Sequence, residues 1–185
     1  EAAEGAATPH QAKEMAKLRG LFLRFIDQSR LQPNEQDGIS IRVAAAEAYA
    51  RIAGPEEAEL MRAWTRDRGW ADKQAATEKL GADGPMAMTA ALVLQRFGQE
   101  PDMELLEAVL DKASGLHGDA FTPLKTSFIL ALAEVYKRAG LKAAREASIR
   151  ASALDRDSEL GKQAVHRALG ALGYPSDISD LLDKK

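Results

Sequence analysis

Residues 43–64 read VAAAEAYARIAGPEEAELMRAW. An alanine-rich run with apolar positions three and four apart stops at a glycine, and a second amphipathic run starts at a proline. Apolar steps of this kind mark one face of a helix. Gly54 is expected to close the first helix, because glycine accepts the left-handed conformation that ends helices. Pro55 is expected to open the second, since it lacks only an N–H that has no helical partner at that position. The stretch therefore predicts two helices joined by a tight corner.

The pattern extends over the rest of the chain. Met15, Leu18, Leu21, Phe22, Phe25 and Ile26 predict a helix over residues 10–29, entered through Thr8-Pro9. Pro33, Asn34 and Gly38 predict a loop over 31–38, with Ser40 capping the helix that follows. Further helices are expected at 55–66, 70–80, 86–97, 101–114, 121–139, 141–154, 157–172 and 176–182. The segment 86–97 is nearly all apolar, which predicts burial on more than one side.

Aligning the helices on Gly54, Gly98, Gly140 and Gly173 exposes a repeat. Five residues before each glycine stand Tyr49, Val93, Val135 and Ala168. Nine before stand Ala45, Thr89, Ala131 and Ala164, all small enough for close helix approach. The glycines are 44, 42 and 33 residues apart. The first two intervals fall in the range of helical-hairpin repeats, about 40–47 residues. Ile41-Arg42-Val43-Ala44-Ala45-Ala46-Glu47-Ala48, followed by Gly54-Pro55-Glu56-Glu57-Ala58, resembles the bacterial HEAT or HEAT-like (PBS-lyase-type) repeat. The resemblance implies an all-α, right-handed α-solenoid of about four helical hairpins with an extra N-terminal helix. It implies a curved binding face and brings no catalytic residues.

Composition agrees with a helical domain. At 185 residues the chain is long enough for one core, and 45% hydrophobic content sets it apart from disordered chains. The expected organisation is a flexible tether over 1–7 and one helical repeat domain over 8–185. The net charge of −3 gives no global attraction to nucleic acid or anionic lipid. Cysteine is absent, which excludes thiolate nucleophiles and cysteine metal sites. The longest apolar-leaning run, 84–95, is shorter than the roughly 20 residues a membrane span needs. The chain begins EAAEGAATP without methionine. A processed N-terminus and an expression-tag remnant both account for that start, so the expected location is cytoplasmic or periplasmic, the latter after export and signal removal.

No motif carries recognisable chemistry. His10, His117 and His166 lie far apart and in no metal-ligand spacing. No phosphate-cradling loop or nucleophile elbow is present. The expectation is therefore a non-enzymatic interaction scaffold without catalytic residues, cofactor or metal, binding a protein or peptide. Trp64 and Trp70 are candidate aromatic anchors, with Arg62, Arg66 and Lys73 as charged neighbours. The alternative is nucleic-acid binding or base-repair chemistry on the same scaffold, through the cluster Arg62, Arg66, Arg68 and Lys73 and a second cluster, Lys137, Arg138, Lys142 and Arg145.

Overall fold

The computed structural model describes residues 9–27, 35–66, 84–114, 122–142 and 159–173. The expected tether 1–7, the helices at 70–80 and 176–182, residues 143–154 of the helix expected at 141–154, and His117 lie outside those residues; Leu141 and Lys142 are described and are not helical. The described part is entirely helical, with no strand. Its seven α-helices are α1 (Pro9–Asp27), α2 (Glu35–Ile52), α3 (Ala58–Arg66), α4 (Gly84–Phe97), α5 (Met103–Ser114), α6 (Thr122–Arg138) and α7 (Glu159–Ala171). Short 3-10 turns, Pro55–Glu57 and Glu100–Asp102, lead into α3 and α5.

Helix α4 packs against α2, α3 and α6, and α6 packs against α4, α5 and α7. Being enclosed on several sides is why α4 is apolar nearly all round: Ala87, Met88, Ala90, Ala91, Val93 and Leu94 are all buried. The positions equated by the sequence repeat share one fate. Tyr49, Val93, Val135 and Ala168 are buried, as are Ala45, Thr89, Ala131 and Ala164. Two buried threonines find partners within their own helices, Thr89 donating to Pro85 O and Thr65 to Met61 O, both at 2.7 Å.

Helix α1 differs because α2 is its principal neighbour. Ile26 is buried and Phe22 and Leu23 lie against the core, whereas Met15, Leu18, Leu21 and Phe25 stay 36–47% exposed. Leu60 on α3 also faces outward. Helix α2 begins at Glu35, so residues 35–38 of the loop expected over 31–38 and the expected cap at Ser40 fall inside a helix, while 31–34 lie outside the described residues. A glycine costs a helix about 1 kcal/mol without forbidding it, and the packing of residues 42–53 outweighs that.

The corners close in two ways, and the first is not the way glycine suggests. Gly54 is extended, with φ −103° and ψ 177°. It serves as the N-cap of the following turn: its N–H donates to the Glu57 carboxylate at 2.7 Å, and its carbonyl accepts the Glu57 N–H at 3.2 Å. Gln99 does the same work with Asp102, its N–H donating to Oδ2 at 2.8 Å. Gly54 and Gln99 are therefore the equivalent positions, 45 residues apart. Only Gly140 (φ 73°) and Gly173 (φ 84°) are left-handed among the described residues.

Arginines complete the helix ends. The last four carbonyls of an α-helix have no partner within it. In α2, Tyr49 O accepts the Ala53 N–H, Ala50 O and Arg51 O accept Arg96, and Ile52 O accepts Arg19 Nε at 2.9 Å. Arg138 donates to Leu94 O, Gln95 O and Gly98 O at the end of α4. Arg42, buried, donates through Nε and Nη2 to Ile26 O near the end of α1. Because Arg96 and Arg138 stand near the C-termini of their own helices, the C-terminal ends of α2, α4 and α6 lie together.

Tyr49 leaves an open account in this core. Its side chain is fully buried and its hydroxyl has no hydrogen-bond partner among the described residues. Burial, reinforced by the Glu57 charge, pushes the phenol up to about 12. Tyr49→Phe removes the unsatisfied group, and chemical unfolding is expected to show a gain of about 1 kcal/mol. An unfolded tyrosine ionises near pH 10 and the folded one near 12. The parent therefore loses stability as pH rises from 10 to 12, and the advantage of the phenylalanine variant widens over that window.

Candidate binding groove

A groove of about 820 Å³ runs across the joined C-terminal halves of three helices. Its lining comprises Glu47, Ala50 and Arg51 from α2, Leu92, Gln95, Arg96 and Phe97 from α4, and Glu134 and Arg138 from α6. Residues four apart share a helix face, so these side chains fall into two rows. One row is basic: Arg51, Arg96 and Arg138. The other, one turn earlier, is Glu47, Leu92 and Glu134. Both rows repeat at intervals of 45 and 42 residues, and the first interval equals that of the two capped corners.

The arginines are held to different degrees. Arg96 sends Nη1 to three carbonyls of the α2 end: Ala50 O, Arg51 O at 3.0 Å and Ala53 O at 3.4 Å. Its guanidinium carbon lies 4.7 Å from the centroid of the Phe97 ring. Arg138 spends Nε, Nη1 and Nη2 on the α4 end, at 2.9, 2.9 and 3.1 Å. Arg51 is exposed, and its guanidinium makes no hydrogen bond or ion pair among the described residues; its carbonyl is engaged by Arg96. The lining holds no imidazole, hydroxyl or thiol. It offers guanidinium, carboxylate and amide groups around an apolar strip of Ala50, Leu92 and Phe97, which suits holding a chain better than bond chemistry.

The residues singled out from sequence lie elsewhere. Arg62 grips Asp102 with two hydrogen bonds, Nε to Oδ1 at 2.6 Å and Nη2 to Oδ2 at 3.0 Å, and also reaches Glu59. Asp102 is 2% exposed. Burial alone would raise its pKa; the Arg62 hydrogen bond, the Gln99 N–H and the charges of Arg62 and Arg66 outweigh it and hold the carboxyl below its ordinary value. Arg66 is paired with Glu59 at 3.4 Å, and Trp64 is half-buried against the core. Trp70 and Lys73 lie outside the described residues, as do Arg68 and Arg145. Of the second basic cluster, Arg138 enters the groove, while Lys137 and Lys142 are exposed outside its lining.

Sequence reasoning passed over Arg51 and Arg96. A signal was present: each arginine stands two or three residues before a corner, with Glu47, Leu92 or Glu134 one turn earlier. Among the described residues no three His, Asp or Glu side chains gather as a metal site, and no helix is long and apolar enough to cross a membrane. No protein-family model, curated protein or solved structure matches the chain.

Proposed function

We propose that this chain is a non-enzymatic interaction module, in which helical hairpins stack as a right-handed HEAT-like solenoid and the groove across α2, α4 and α6 holds a segment of a partner protein. The observation that carries the reading is the composition of the groove: equivalent positions of three neighbouring helices line it, so the surface is a product of the repeat. Repeat folds commonly bind along such extended faces. Two features favour a peptide over a nucleic-acid backbone. Glu47 and Glu134 stand inside the groove and would repel phosphates, and Arg62 and Arg66 are neutralised by Asp102 and Glu59. A partner contact through Trp64 and Arg66 on α3, with Trp70 and Lys73, is the less supported version, because Trp64 already packs on the core.

The test is a displayed random-peptide library panned on the folded chain. Binders are expected to be lost on Gln95→Trp, which fills the groove, and kept on Leu60→Ser, which alters an exposed position outside it. Binders that ignore Gln95→Trp and respond to Leu60→Ser would overturn the reading.

A further inference from the structure

The groove is asymmetric in charge. Three guanidiniums line one edge, and two carboxylates with Leu92 between them line the other. We propose that it receives an acidic segment of a partner protein, whose carboxylates are taken by the row Arg51–Arg96–Arg138 with Arg96 as the central receptor. This rests on the groove reading above and names the chemistry of its occupant.

Arg96 carries the argument. Its hydrogen bonds among the described residues all leave from Nη1. The Nε–Nη2 edge remains, and that edge of a guanidinium accepts a carboxylate through two parallel hydrogen bonds. The Phe97 ring and the α2 carbonyls hold the group in place, so little side-chain freedom is lost when a ligand arrives. Arg51 adds an exposed cation on one side and Arg138 a partly committed one on the other. Glu47 and Glu134 repel acid from the opposite edge, which fixes the side along which the ligand runs.

The spacing narrows the ligand further. Packed helices lie about 8–10 Å apart, so the helix positions that carry the arginines step at about that distance. A polyproline II chain has three residues per turn and rises about 3.1 Å per residue, which puts side chains i, i+3 and i+6 on one face about 9 Å apart. The preferred ligand is therefore an extended segment with Asp or Glu at every third position.

Fluorescence polarisation with labelled peptides tests this. The probe is a proline-rich peptide with glutamate at every third position; its comparisons carry glutamine or lysine at those positions, or glutamate at every second. The glutamate peptide is expected to bind about tenfold tighter than its glutamine counterpart, and more weakly as salt rises. Arg51→Glu, which removes a side chain without internal hydrogen bonds among the described residues, is expected to weaken it about tenfold with the circular dichroism unchanged, and Glu47→Lys to strengthen it. Equal binding of the glutamine peptide, indifference to Arg51→Glu, or tighter binding of a single-stranded oligonucleotide at the same salt would overturn the proposal. If neutral or basic peptides bind and Gln95→Trp abolishes them, the acidic ligand is wrong and the groove stands. If no peptide of any charge engages the groove, both readings fall.

Discussion

Replacing Arg62 with leucine lowers the stability of the folded chain by about 3–5 kcal/mol, because it leaves the Asp102 carboxylate buried without its cation. Asp102 is only 2% exposed, so its carboxylate has little access to water. It also caps the 3-10 turn before α5 through the Gln99 N–H. Asp102→Asn keeps much of that cap and removes the charge, so its cost is smaller. The double variant is expected to recover part of the loss from Arg62→Leu, a coupling that a double-mutant cycle in urea measures directly. The acid limb gives a second readout. Asp102 titrates below its ordinary value in the folded chain, so the stabilisation is complete above the unfolded carboxylate pKa and is lost as pH falls through the lower folded one. The Asp102→Asn variant lacks this loss. An Arg62→Leu variant with parental stability would show that the pair contributes little and would return Arg62 to the exposed surface the sequence reading gave it.

Gly98→Ala is the second large effect. A Cβ built there would stand 2.5 Å from Leu94 O and 2.8 Å from Val135 Cγ2, and the first of these is backbone. Relief requires the end of α4 to change its own backbone at Leu94 and Gly98 and to draw away from Val135 on α6, at a place where Arg138 also bridges Gly98 O and Leu94 O. The expected cost is about 2–3 kcal/mol. Gly54→Ala is the control. The three atoms nearest its Cβ would all belong to the Glu56 side chain, which is mostly exposed and can swing away from its exposed ion pair with Arg19, and the extended backbone at Gly54 suits alanine. A cost of less than about 1 kcal/mol is expected there. Equal costs at the two glycines, by denaturant unfolding, would mean that Gly98 is not a point of close approach.

The difference between these glycines shows where sequence reading succeeds and where it stops. Apolar periodicity located the described helices and their core, since burial of one face is a local property of spacing. The small residues nine before each corner are buried as their size suggests. The mechanism of the corners was not legible from glycine alone. At Gly54 the acid three residues on decides the geometry, and at the next corner the cap passes to Gln99, one residue beyond the aligned glycine. The arginines were harder still. Arg62, Arg96 and Arg138 reach partners 40 or more residues away, and nothing in their neighbourhoods names those partners. Arg62 therefore read as part of a surface cluster, and Arg51 and Arg96, which form the groove edge, drew no attention. Their spacing before each corner was the available clue.

The groove is the surface proposed to meet a partner. Backbone amide shift mapping by NMR, with the tightest peptide from the display selection titrated into the isotopically labelled chain, tests this most directly. The largest shifts are expected on Arg51, Leu92, Gln95, Arg96 and Arg138, falling away across α3 and α5. Shifts concentrated on α3 or on the exposed apolar positions of α1, with the groove amides unmoved, would contradict it.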